Sequence, residues 1–306
     1  MGIRRISHAH QKALQCPLES TETGIRRLGF RRMVAPTALY CTGAALREGR
    51  TAASAGRRRG KNIVGYQTKA ITSGQWNFIG ATFAPVSGAA MTLGDIKAND
   101  AFEFGSDTLQ TLNGNGSTKA MYTYANATVA EEFGLQAGWY DYDEVSTWDG
   151  ESALTPCNTV ALPFGEMSIL QAGSDAAAVI YSGVVSSSDI ELAISSGVWN
   201  LRANCMPVDY ILGDLTANDA FEFGSDTLQT LNGNGSTKAM YTYASAAVAQ
   251  EFGLQAGWYD YDAVSAWDGE SELSSCNGVE IPAGYGFILQ AGRDDATVTI
   301  PSPIAD

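Results

Sequence analysis

Histidine is almost missing from this chain: the 306 residues hold His8 and His10 and no other. Catalysis of the Ser-His-Asp or Cys-His kind needs an imidazole beside the nucleophile, so neither can be assembled from the residues after position 10. Soft metal ligands are equally scarce. The five cysteines, Cys16, Cys41, Cys157, Cys205 and Cys276, form no CxxC pair, which argues against zinc. Cys157 and Cys276 stand at equivalent positions of an internal repeat, where two thiols are poorly placed to meet, so apolar packing is expected of both. No apolar run approaches the length of about 18 residues that a transmembrane helix requires.

Basic residues are the next shortage, and it is local. Residues 1–61 hold 13 of the 19 Lys and Arg but 3 of the 33 Asp and Glu, a balance of +10; the rest keeps 6 basic and 30 acidic groups, or -24. Phosphate binding needs a basic footprint, so the main body excludes nucleic acid as a partner. The leader shows neither strand nor helix periodicity, and Arg57, Arg58 and Arg59 interrupt it. Three readings stay open: a disordered basic tail or the product of a wrong start, a divergent targeting segment, and a basic interaction arm. Met33–Leu46 followed by TAASA comes nearest to a signal sequence.

What the chain does have is a duplication. Ala98–Ala125 and Ala217–Ala244 are identical over 28 positions, including FEFGSDTLQTLNGNGSTKAMYTYA, and Leu93–Ser182 aligns with Leu212–Pro301 at a constant offset of 119. Upstream, ITSGQWNFIGATFAPV from Ile71 answers ISSGVWNLRANCMPV from Ile194. The organisation read from this is a basic non-globular leader at 1–61, a first β-rich repeat at 62–183 and a second at 184–303.

Each repeat reads as strands and turns. DTLQT, then Asn113-Gly114-Asn115-Gly116, then KAMYTY is a strand, a loop tolerant of positive φ and an aromatic strand, the pattern of a hairpin. Further strands are expected at Met167–Ala172 and Ala177–Tyr181, with counterparts at Gly286–Ala291 and Ala296–Ile300. NATVAEEFG can form one short helix capped by Asn126. NGNGST lacks phosphate-loop spacing and leads into a strand, so it is a turn. The expected fold is all-β: two tandem antiparallel β-sandwich or partly open barrel units.

The candidate site is the duplicated run GWYDYDEVSTWDGE, Gly138–Glu151, and GWYDYDAVSAWDGE, Gly257–Glu270. Trp139, Tyr140, Tyr142 and Trp148, with Trp258, Tyr259, Tyr261 and Trp267, supply flat faces on which a sugar could stack, or large anchors for a small core. Asp141, Asp143 and Asp149, with Asp260, Asp262 and Asp268, supply oxygen ligands for a structural calcium, although their spacing is not that of an EF-hand. Paired carboxylates also raise a glycoside hydrolase with one active and one degenerate repeat, since Glu144 becomes Ala263. An acidic loop pinned by its tryptophans is the plainest reading. No other cofactor is expected.

The runs NIVGYQTKAI and SGQWNFIGATFAPV over residues 62–86, LGDI from Leu93, the later AGWY and WDG, and the closing ILQAG together resemble an uncharacterised family of secreted β-rich repeat proteins of Verrucomicrobia and Lentisphaerae. That resemblance implies export and a family region at 62–303; it implies no catalytic residue. The resulting expectation is a secreted or surface-associated structural or binding protein that displays its surfaces twice, to a glycan or a surface protein.

Overall fold

The computed structural model describes residues 64–84 and 90–304; the leader at 1–61 lies outside them. The first copy contributes β1 (Val64–Ala70), β2 (Asn77–Gly80), β3 (Ile96–Ala98), β4 (Thr108–Leu112), β5 (Thr118–Ala125), β6 (Gly138–Asp141), β7 (Met167–Gln171) and β8 (Ala178–Val184). The second contributes β9 (Ile190–Ala193), β10 (Asn200–Ala203), β11 (Tyr210–Ile211), β12 (Thr216–Ala217), β13 (Thr227–Leu231), β14 (Thr237–Ala244), β15 (Gly257–Asp260), β16 (Glu280–Ile281), β17 (Gly286–Gln290) and β18 (Thr297–Ile300). Short helices α1 (Ala127–Phe133) and α2 (Tyr142–Ser146) recur as α3 (Ala246–Phe252) and α4 (Tyr261–Ser265). No helix among the described residues is long and apolar enough to cross a membrane.

The protein is thus mostly β, built of small antiparallel sheets. The first copy forms a three-stranded sheet ordered β1-β8-β3 and a five-stranded sheet ordered β2-β7-β4-β5-β6. The second repeats them as β12-β18-β9 and β10-β17-β13-β14-β15, with a two-stranded β11-β16 pair in addition. Both expected hairpins are present: Leu109 pairs with Tyr122 and Leu228 with Tyr241. The turn Asn113–Ser117 closes with Gly116 N–H donating to the Asn113 carbonyl at 2.8 Å, and Gly116 adopts φ 80°, as the Asn-Gly pattern requires.

Strand alternation decides which core each residue joins. Leu109, Tyr122, Tyr124, Trp139 and Leu170 of the first five-stranded sheet pack with Ile96, Val179 and Tyr181 of its three-stranded neighbour in one buried cluster. Leu228, Tyr241, Trp258, Leu289, Val298 and Ile300 do the same in the second copy. The residues between them point the other way. Phe78, Met167 and Ile169 meet Leu201, Leu231 and Ile288 in a third cluster, flanked by Trp76, Leu112 and Trp199, that joins the two copies. Because the second face of each five-stranded sheet contributes to this third cluster, the four main sheets make a propeller-like arrangement and do not separate clearly into the two tandem sandwiches expected from the sequence.

The contacts across this third cluster come in mirrored pairs. Trp76 N–H donates to the Gly233 carbonyl at 2.7 Å and Trp199 N–H to the Gly114 carbonyl at 3.0 Å. Gly80 N–H donates to Gly284 and Ala203 N–H to Gly165, each at 3.0 Å. Every pair exchanges equivalent positions of the copies, so an approximate two-fold axis runs between them. The tryptophans lie over the glycine turns: a β-carbon on Gly116 would come within 2.8 Å of the Trp199 ring, and one on Gly235 within 2.5 Å of the Trp76 ring. The duplicated NGNG segment is therefore a turn within its own copy and a seat for the other copy's tryptophan.

Candidate functional site

The two halves of the duplicated acidic and aromatic run have different fates. Trp139 on β6 is fully buried; its ring meets Phe102 and Tyr124 edge-on, with centroids at 5.6 and 5.1 Å. Its indole N–H donates to the Ile96 carbonyl at 2.8 Å, which ties the five-stranded sheet to β3 of the other sheet. Trp258 repeats this on Leu215 at 2.8 Å. Tyr140 and Tyr259 point to the opposite side of the strand and are buried as well. Each hydroxyl donates to one carbonyl and accepts that residue's N–H: Gln136 for Tyr140, Gln255 for Tyr259. A sugar cannot stack on these four rings, so Trp139, Tyr140, Trp258 and Tyr259 are corrected from a platform to anchors, each with its polar atom paired.

Tyr142 and Tyr261 open α2 and α4 and are half-buried. Tyr142 borders an open polar groove of about 340 Å³ that also touches Gln75, Asp107, Gln110, Met121 and Gln171. Trp148 and Trp267 are half-buried too. Their indole N–H groups donate to the Ser152 and Ser271 carbonyls at 2.7 and 2.6 Å, which closes the loop after each helix. Trp148 packs edge-on to Phe133 with centroids at 5.6 Å and Trp267 to Phe252 at 5.7 Å. The phenylalanines are exposed by 37% and 47%, so each pair presents part of its ring surface to solvent.

Behind Phe252 the second copy holds a cavity of about 270 Å³, where Phe223, Asp219, Glu222 and Arg293 converge. Phe223 bridges the surface and the interior: its ring lies 6.3 Å from Phe252 and 6.0 Å from buried Tyr259. Phe104 stands in the same relation to Tyr140 at 6.0 Å. Arg293 has no basic counterpart in the first copy, where Ser174 takes its place.

The carboxylates mostly shape loops. Asp141 caps α2, its Oδ1 accepting from the backbone of Asp143 at 2.9 Å and Glu144 at 3.2 Å, and Asp260 accepts from Ala263 at 2.9 Å. Asp149 accepts the N–H of Ser152 at 2.8 Å, the N–H of Glu151 at 2.9 Å and the Ser152 hydroxyl at 2.8 Å. These bonds, the Ser152 amide foremost, favour the ionised form and hold its pKa down to about 2; Ser271 and Glu270 do the same for Asp268, also to about 2. Asp143 and Asp262 are exposed on the first turns of α2 and α4. Among the described residues, no three Asp, Glu, His or Cys side chains come together to hold a metal ion. The six aspartates expected to serve calcium therefore do not converge, because four of them turn their oxygens toward adjacent backbone.

Cys157, Cys205 and Cys276 are free thiols. Cys205 is fully buried, and desolvation pushes its pKa up to about 12. The surface aromatics Phe104, Phe133, Phe223 and Phe252 were missed in the sequence. A signal for Phe133 was there: it lies three residues past Ala130, the one buried position of α1, and ends the helix just before Gly134 turns left-handed at φ 65°. Comparison of the chain with family models, curated proteins and solved structures returns no match.

Proposed function

We propose that this protein is a non-catalytic binding protein, secreted or carried at the cell surface, that presents two equivalent aromatic platforms to a neutral or weakly cationic glycan. The platforms are Phe133 with Trp148 in one copy and Phe252 with Trp267 in the other. On this reading, each copy acts as a sandwich-like scaffold whose two sheets share a core and hold the platform rigid. Export accords with the resemblance to secreted repeat proteins.

One observation carries the reading: the same edge-to-face pair, outside every buried cluster and partly open to solvent, recurs in both copies. The net charge of -24 over residues 62–306 would repel anionic polymers, and its carboxylates leave sugar hydroxyls as natural hydrogen-bond donors. Duplication favours a repeating ligand, because engagement of the first platform raises the effective concentration at the second, a gain of roughly 10²-fold or more when both reach the same chain.

The test is a glycan array probed with the full chain, followed by calorimetry on any hit. Trp148→Ala with Trp267→Ala should abolish binding, and either alone should weaken a polymeric ligand by about 10²-fold while affecting a short oligosaccharide less. Failure of the array to retain the protein, or undiminished binding by the double variant, would end the proposal.

A further inference from the structure

Some equivalent positions match across the contact between the copies, as Ile169 and Ile288 do, but others that meet there do not carry the same residue. Gly80 and Ala203 are equivalent and face each other, and a β-carbon added to Gly80 would overlap that of Ala203. Met167 and Gly286 are likewise equivalent and in contact: a β-carbon on Gly286 would stand 2.6 Å from Met167 Cγ and 2.9 Å from Phe78 Cβ. In each case one copy fills the space that the other leaves. Charge follows the same rule. Arg202 Nη1 of the second copy lies 3.7 Å from Glu166 Oε1 of the first, across a bridge between the two backbones. Their counterparts are Ile79 and Tyr285, which bridge each other without an ion pair.

Matching each copy with its own kind breaks all of this. Two first copies would set Met167 against Met167 and leave Glu166 facing Ile79. Two second copies would set Ala203 against Ala203, where there is room for one β-carbon, and leave Arg202 facing Tyr285. We propose that the docking face of each copy is a recognition surface for the complementary copy and rejects its own kind. When the face opens, its partner is the complementary copy of the same chain or of a second molecule of this protein, and any assembly formed by exchange contains only unlike pairs. Volume excess in a packed contact and loss of the Glu166–Arg202 ion pair are each unfavourable, so a like pair should be weaker by roughly 10²-fold.

The experiment uses the full chain with a protease site introduced between Ser186 and Ser188, in the connection between β8 and β9. Cleaved protein prepared in light and heavy isotope forms is mixed, unfolded, refolded and weighed by native mass spectrometry. Unlike pairs with scrambled isotopes, and like pairs at about 1% or less, are expected. Like pairs in the proportions of random association would overturn the proposal. A second measurement needs no cleavage or refolding of halves. In the intact chain, Gly80→Ala and Gly286→Met should each lower Tm by roughly 5 °C. Gly80→Ala combined with Ala203→Gly, which exchanges the filled and empty sides, should regain most of that loss. Unchanged single variants, or a double variant no better than the single, would refute it.

Discussion

Gly116 and Gly150 offer a matched pair of perturbations. Both adopt nearly the same left-handed backbone, φ 80° and 85°, but a β-carbon on Gly116 would lie 2.8 Å from the Trp199 ring, whereas one on Gly150 meets nothing within 4 Å. Alanine at either position meets backbone strain of about 1–2 kcal/mol, offset by about 0.4–1 kcal/mol through the stiffer unfolded chain. Gly150→Ala should therefore destabilise by roughly 0.5–1 kcal/mol. Gly116→Ala must in addition displace a rigid indole from the inter-copy cluster, a further 1–3 kcal/mol or so. In urea, with a slope of about 2 kcal/mol/M, the midpoint should fall by about 1 M or more for Gly116→Ala and by less than about 0.5 M for Gly150→Ala. Trp199→Leu in the Gly116→Ala background should remove most of the difference, because the clash then has no second partner. Equal midpoints for the two alanine variants, or strict additivity in the double variant, would show that the turn and the tryptophan are not a clasp.

Other expectations concern single groups. Trp139→Phe keeps an aromatic anchor but strips the Ile96 carbonyl of its donor and opens a cavity, so chemical denaturation should record a loss of roughly 2–4 kcal/mol, and Trp258→Phe a similar one. Carboxyl NMR titration should find Asp149 and Asp268 still ionised at pH 3, with midpoints of about 2, and Ser152→Ala, which removes the hydroxyl but keeps the Ser152 and Glu151 amides, should raise the Asp149 midpoint only in part. Both folded-state pKa values are depressed, so the stability these groups contribute is present above about pH 4 and is lost as pH falls toward 2. Cys205 should react with iodoacetamide far more slowly in the native chain than in the unfolded one, because it is fully buried and desolvation pushes its pKa up to about 12. Its folded-state pKa is raised, so its contribution to stability is complete below pH 9 and fades as pH climbs toward 12.

Much of the local structure could be read from residue order. The Leu109–Tyr122 hairpin, the strand at Met167–Gln171 and the Asn126-capped helix all follow from period-2 alternation, Asn-Gly turns and a capping residue, which act within a few positions. What sequence could not supply was the destination of each face. Ile169 and Leu170 look alike as letters, but one joins the neighbouring copy and the other its own core. That ambiguity is why tandem sandwiches were expected where a third cluster instead joins the sheets. The candidate site suffered from the same gap. Trp139 and Trp148 sit in one run, and only tertiary packing separates the buried ring from the half-open one. Asp141 and Asp149 read as ligands because their amide partners lie two or three residues away, a geometry that composition does not reveal.

The four mirrored amides of Trp76, Gly80, Trp199 and Ala203 all donate across the boundary between the copies. Their deuterium uptake is therefore governed by one parting motion and not by fraying of any single strand. Protection lost at all four together, while the amides of β4 and β13 keep theirs, would give this molecule a native gauge of how often its halves breathe apart.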